Sequence, residues 1–180
     1  MKNLGVLGPM GGGKGSAAKY IAKKYGYVTI NMGNIVRGLA RKERIKPTRL
    51  NLEKIQRRYR QKYGDDFVIR ETIRKARLST KPVILDGVRS LIDARIAKKE
   101  LGIKIILIDA APEIRFQRLK KRRRADFPRT FEEFRKVESS ENKTFHMHKT
   151  FSVADYKRDN SGGQAKMRKD LDAVIKKIKC

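Results

Sequence analysis

Residues 8–16, Gly-Pro-Met-Gly-Gly-Gly-Lys-Gly-Ser, hold the densest chemistry in the chain. Gly8, Gly13 and Lys14 keep the G-x-x-x-x-G-K spacing of a loop that wraps a phosphate. Gly11 and Gly12 extend the Cβ-free stretch, so the backbone can curl until its N–H groups point inward. Lys14 brings a mobile point charge for terminal phosphates, and the helix that follows adds its positive N-terminal end. Loops of this kind usually carry Ser or Thr after the lysine as a magnesium ligand. Here that residue is Gly15, and the hydroxyl comes one place later, at Ser16.

Three further clusters suit phosphate chemistry. Gly33 and Arg37 lie one helical turn apart at the C-terminal edge of an apolar run, where a guanidinium can clamp a phosphate with two hydrogen bonds. The plain alternative is a surface arginine on a basic helix. Asp86 ends the apolar run Val83-Ile84-Leu85, the position from which a carboxylate holds Mg²⁺ through water beside the loop. The alternative there is an aspartate that starts a turn. Arg89, three residues on, would meet an acceptor phosphate from the other side. Arg115, Arg118, Arg122, Arg123 and Arg124 follow the next apolar run, and Arg118 and Arg122 share a helix face. Arginines so placed could neutralise the spread charge of a phosphoryl transition state, or form a solvated basic face or an RNA patch. His146 and His148 flank Met147, and two imidazoles without a nearby acid or cysteine make a poor metal site. Phe127, Phe131, Phe134 and Phe145 have rough helical spacing and are expected to pack a lid against the body.

These residues need elements to position them. Strand-like apolar runs occupy 2–7, 27–31, 82–86 and 103–109, with a weaker one at 152–157. Helical periodicity covers 14–25, 33–43, 48–62, 66–79, 90–101 and 113–123, with further helices from about 131 and over about 162–178. Alternation of strand and helix predicts an α/β fold with a parallel sheet. Asp65-Asp66 is placed to cap the helix from 66, and Thr130 with Glu133 forms a capping box. The stretch 33–80 reads as an all-helical insertion, and 122–145 as a smaller lid excursion, within one domain of 180 residues.

The chain carries 46 Lys plus Arg against 19 Asp plus Glu, a formal charge of +27, spread over every segment. Two origins stay open: association with a polyanion such as RNA, or a generally basic surface with no such partner. Cys180 is the one cysteine, so no internal disulfide forms, which fits a reducing cytoplasm. No segment has the ~20 apolar residues of a membrane span, and no signal peptide is visible.

Lys14-Gly15-Ser16 resembles the adenylate kinase group of nucleoside monophosphate kinases, although Met10 stands where that group has proline. Gly33-x-x-x-Arg37 and Asp86-Gly87-Val88-Arg89 are similar to that group's acceptor motifs, with Asn34 in place of an acid and the second motif one residue shorter. Arg118-x-x-x-Arg122 matches its lid-base pair. With Asp86-Gly87-Val88-Arg89-Ser90-Leu91, Arg124-Ala125-Asp126, Thr130-Phe131-Glu132-Glu133-Phe134 and Ala154-Asp155-Tyr156, the whole is similar to small P-loop proteins of archaea related to adenylate and dephospho-CoA kinases. The resemblance implies a three-layer P-loop NTPase fold: a five-stranded parallel sheet, a helical acceptor-binding insertion and a short lid formed by Arg124, Asp126 and Arg129. It implies ATP on Gly8, Gly11, Gly12, Gly13, Lys14, Gly15 and Ser16, a nucleoside monophosphate held by Gly33, Arg37 and Arg89, and Mg²⁺ near Asp86. It further implies catalysis by Lys14, Asp86, Arg118 and Arg122, and it places the loop 160–163 near adenine. Two other functions stay open. One is a dephospho-CoA kinase, disfavoured because Met32-Gly33-Asn34 lacks an Asp-x-Asp pair. The other is an RNA- or ribosome-associated P-loop NTPase with slow hydrolysis. After Tyr156 the chain departs from the family, with Lys157-Arg158-Asp159 in place of an apolar strand end.

Overall fold

The computed structural model describes residues 1–121 and 128–179. Five parallel strands form one sheet in the order β2-β3-β1-β4-β5, built from β1 (Leu4–Leu7), β2 (Val28–Asn31), β3 (Val83–Asp86), β4 (Lys104–Asp109) and β5 (Tyr156–Asp159). Between them run α1 (Lys14–Tyr25), α2 (Met32–Lys42), α3 (Arg49–Tyr63), α4 (Phe67–Arg77), α5 (Leu91–Leu101), α6 (Pro112–Lys121), α7 (Phe131–Phe145), α8 (Met147–Ser152) and α9 (Gln164–Lys179). The expected α/β class and five-stranded parallel sheet are therefore present.

Two apolar layers sandwich the sheet. On one face Ala17, Ala18 and Ile21 of α1 and Leu171, Val174 and Ile175 of α9 pack on Leu4, Val6 and Ile106. On the other, Ile69, Ile73, Ala94 and Ala97 from α4 and α5 meet Leu85, Ile105 and Leu107. The central strands are apolar on both sides because both sides are covered. The register sets Val6 beside Asp86, so the chain leaves β1 and β3 at adjacent points of one sheet edge.

The last strand differs from expectation. It runs over Tyr156–Asp159, and 147–152 is helical. Met147 and Thr150 of α8 are buried, which favours a helix there. The charged Lys157-Arg158-Asp159, standing where the family has an apolar strand end, form the ladder with Leu107–Asp109. An edge strand has one side unpaired, and charges there are tolerated and discourage further pairing. Thr130 and Glu133 close their capping box, and so do Ser90 and Asp93 at α5, which the sequence reading passed over. Asp66 makes no side-chain cap bond and pairs with Arg70 at 3.0 Å instead.

Candidate active site

The phosphate loop sits at the carboxyl end of β1, where the strand order turns from β3 on one side to β4 on the other. Crevices at such points are where open parallel sheets take ligands. Gly8, Gly11 and Gly13 have φ of 149°, 79° and 105°. At Gly8 a Cβ would strike the Ile108 carbonyl, and at Gly11 it would stand 2.6 Å from the Arg115 carbonyl. The loop is thus pressed against β4 and α6 as well as curled. Gly13 caps α1 in a left-handed conformation with no side-chain cap bond. The first N–H groups of α1 are left to an incoming anion. Lys14 Nζ donates to the carbonyls of Gly8 and Pro9, both at 2.8 Å, and so sits at the mouth of the loop.

Asp86 faces the loop from β3. Its Oδ2 accepts from Asn31 Nδ2 at 2.8 Å and lies 3.8 Å from where a Gly15 Cβ would stand. Glycine at 15 therefore keeps open the space beside the carboxylate that a Ser or Thr would fill. Asn31 also caps α2 by accepting from Asn34 N at 3.2 Å, so one amide ties α2 to the end of β3. Arg37 folds back over Gly33, whose absent Cβ would lie 3.0 Å from its Nη1, and donates to Asn34 Oδ1 at 3.0 Å. The asparagine that replaces the resemblance's acid thus holds this guanidinium without neutralising it. Arg89 reaches Glu141 of α7 at 3.5 Å.

One cavity of about 550 Å³ brings these groups together. Gly11, Lys14, Gly15, Gly33, Arg37, Asp86 and Arg89 line it; Val36, Leu52, Val68 and Met147 give it an apolar side, with Glu53 and Gln56 of α3 nearby. Helix α7 closes it with Val137, Ser140 and Glu141. The other face of α7 borders a second cavity of about 680 Å³, lined by Lys143, His146 and His148 among others.

Arg118 does not line the first cavity. Its Nη2 donates to the Asn160 carbonyl at 2.7 Å, and its buried Nη1 has no hydrogen-bond partner among the described residues. Asn160, in the loop expected near adenine, donates from Nδ2 to the Gly12 carbonyl at 2.8 Å. That loop braces the phosphate loop directly. Arg122, the other expected lid-base arginine, lies outside the described residues, as do Arg124 and Asp126.

Arg115 has a different role from the one its place in an arginine run implies. Its side chain is 6% exposed and donates to Glu138 of α7 at 2.5 Å, to the Ala110 carbonyl at 2.8 Å and to the Met10 carbonyl at 3.4 Å. It also stacks over Phe134 at 5.3 Å. Phe134 and Phe131 meet Phe116 of α6 at ring separations of 5.8 and 5.6 Å. Phe127 and the Phe145 side chain lie outside the described residues. Arg60 and Asp93 form a second, mostly buried pair, at 3.8 Å, behind the Arg37 side of the cavity. Burial raises the Asp93 carboxyl above its usual range, against hydrogen bonds from Ser90 and the charge of Arg60. Neither pair is local in sequence, and only the residue types hinted at them.

A Gly-rich phosphate loop at the switch point of a five-stranded parallel sheet, with helices on both faces, defines a P-loop fold of the kinase type. Solved structures agree on the fold. Shikimate kinase from Acinetobacter baumannii in complex with shikimate superposes with TM-score 0.65 at 15% identity, over 99% of this chain and 93% of that one. A gluconokinase from Sinorhizobium meliloti gives 0.60 at 14% identity, over 98% and 93%. The chain belongs to the AAA domain family, whose model matches residues 7–135, and stands among the UPF0200 proteins. It is 33% identical to the UPF0200 protein of Thermococcus kodakarensis, over 96% of this chain and 98% of the relative. It is 36% identical to that of Hyperthermus butylicus, over 84% and 81%. Among the described residues no helix is long and apolar enough to cross a membrane, and no group of three or more metal-ligating side chains occurs.

Proposed function

We propose that the chain transfers the terminal phosphoryl group of ATP to the phosphate of a nucleoside monophosphate. The observation that carries this reading is the single cavity with the phosphate loop at one end, Asp86 beside it and two arginines, Arg37 and Arg89, at the acceptor side. Two guanidiniums suit an acceptor whose reacting group is a phosphate dianion. The apolar side and the polar Glu53 and Gln56 offer a base-sized surface, and about 550 Å³ falls within the usual range for small-molecule sites. An acceptor hydroxyl would gain from a carboxylate base at the end of β2, and amides, Asn31 and Asn34, occupy that edge. A phosphate acceptor is already a nucleophile and needs no base.

In this reading the loop N–H groups, the first turn of α1 and Lys14 hold the donor phosphates, while Arg118 approaches from α6. Asp86, with open space beside it at Gly15, would hold hydrated Mg²⁺, which supplies charge neutralisation between the donor phosphates. Arg37 and Arg89 align the acceptor oxygen for in-line attack, and α7 with the lid excludes water that would otherwise hydrolyse ATP.

The test is a coupled ADP-release assay with Mg·ATP against AMP, CMP, GMP, UMP, dTMP, dephospho-CoA, shikimate and gluconate. The expected result is one monophosphate raising turnover at least about a hundredfold over hydrolysis, with the gain lost in Arg37→Ala. Turnover with a hydroxyl acceptor alone would keep the kinase chemistry and remove the acceptor assignment.

A further inference from the structure

We propose that the outer face of α2 and α3 is a docking surface for single-stranded RNA, separate from the cavity. The face is assembled from two helices. The pair between Arg58 and Glu43 joins the end of α2 to the middle of α3, and Asn51 Nδ2 donates to the Lys46 carbonyl at 2.9 Å, folding the connecting loop onto the first turn of α3. Along α3, Lys54, Arg57, Arg58, Gln61 and Lys62 are all exposed and share one side of the helix. Buried Ile55 takes the other.

Charge compensation distinguishes this face from those of α4 and α7. On α4, Arg70, Arg74 and Arg77 each pair with a carboxylate: Asp66, Glu71 and Glu100. On α7, Arg135 and Lys136 do the same with Glu138 and Glu132. On α2, α3 and their connection, exposed Arg41, Lys42, Arg44, Lys46, Lys54 and Arg57 form no ion pair among the described residues. Glu43 does not offset them. Hydrogen bonds from Tyr59 and then Arg58 hold its carboxyl below the usual range, which marks it as already engaged. A run of uncompensated cations repels itself and is relieved by a polyanion that spans it.

An aromatic cluster that adjoins this stripe at Lys62 chooses among polyanions. Tyr59, Tyr63 and Phe67 all touch one another, with ring centroids 5.3–5.6 Å apart, and Tyr63 is 45% exposed. The Lys62 ammonium lies 5.3 Å from the Tyr63 ring centre. An exposed ring beside cations gives an unpaired base a stacking partner while its phosphates meet the stripe. Paired bases in a duplex cannot use such a ring. An anionic membrane would call for an apolar stripe, and Gln61 and cations stand there instead.

The experiment is fluorescence anisotropy with a labelled 20-nucleotide single-stranded RNA of mixed sequence, titrated with the full chain at several KCl concentrations. Two triple variants carry the same change in charge: Lys54→Gln with Arg57→Gln and Lys62→Gln on this face, and Lys169→Gln with Lys176→Gln and Lys177→Gln on α9. The α3 variant is expected to lose at least about tenfold in affinity near 0.1 M salt and to flatten the log–log salt slope by about 2, as ~0.7 per lost phosphate contact implies. The α9 variant should change affinity less than about twofold, and Tyr63→Ala should weaken binding roughly fivefold or more at every salt concentration. Phosphotransfer by the α3 variant should stay at the wild-type level, since none of its three positions lines the cavity. Equal losses in both triple variants, no RNA binding by the wild type, or binding to phosphatidylserine vesicles in place of RNA would each overturn the proposal.

Discussion

The two ends of the cavity are built in opposite ways. The phosphate-loop end is backbone against backbone: Gly8 and Gly12 lie on the Ile108 carbonyl, Gly11 on that of Arg115, and Arg115 is buried behind them with Glu138. The far end is held by side chains: Arg89 reaches across to Glu141 of α7 at 3.5 Å, and Arg37 turns back onto Asn34 of its own helix at 3.0 Å. Backbone packing fixes one geometry and leaves nothing to rotate. Side-chain pairs at half-exposed positions exchange partners at little cost. One end therefore suits a ligand part that never varies, and the other can re-form around one that does.

Variants can break this contrast. Arg115→Ala removes a buried guanidinium with its bonds to Glu138 and to the Ala110 carbonyl, leaves Glu138 to the exposed Arg135 alone, and should cost about 2–4 kcal/mol, lowering the melting temperature by roughly 5 °C or more. A loss under about 1 kcal/mol would show that α7 is not braced through this residue. Gly8→Ala combines a left-handed φ with a collision and should cost about 3 kcal/mol, read as a lower urea midpoint and lost ATP binding. By contrast, Arg89→Ala should raise the acceptor KM roughly tenfold to a hundredfold while stability moves by no more than about 0.5 kcal/mol. If its melting temperature fell as far as that of Arg115→Ala, the far end would be as fixed as the loop end.

The smallest effect lies away from the site and serves as a reference for the scaffold. Asp172 of α9 accepts from Tyr25 at 2.7 Å and from Tyr20 at 2.8 Å. Burial first, then the bond to Asp172, pushes the Tyr25 hydroxyl up to about 12. A folded value above the unfolded one means that the native state keeps a proton that the unfolded chain loses. The stability from this group is thus whole below the unfolded value, near 10, and disappears as pH rises toward about 12. Urea midpoints at pH 9 and 11 should fall apart less in Tyr25→Phe than in the wild type.

Much of the fold was legible because its signals are local. Glycine spacing exposed the loop, and alternation of apolar runs with helical periods exposed the sheet. The last strand was set a few residues early, at 152–157, because β5 pairs on one side only and carries Lys157 and Arg158, so the apolar Val153 and Ala154 between α8 and β5 drew the hydropathy signal. In the site, residue type and spacing named Lys14, Asp86, Gly33, Arg37 and Arg89, which line one cavity. They could not separate Arg115 from Arg118, three residues apart on one helix: only the third dimension puts Glu138 and Phe134 around the first and Asn160 beside the second. The bracing roles of Asn31 and Asn160 were illegible for the same reason, since an amide has no chemistry of its own until a partner is in place.

The bond from Asn160 to Gly12 spans 148 positions of sequence. During synthesis the glycine loop leaves the ribosome long before the strand that ends beside its brace. For most of translation the nascent chain therefore carries an unfinished nucleotide site. A nucleotide bound at that loop would reward folding only once the last strand has joined the sheet.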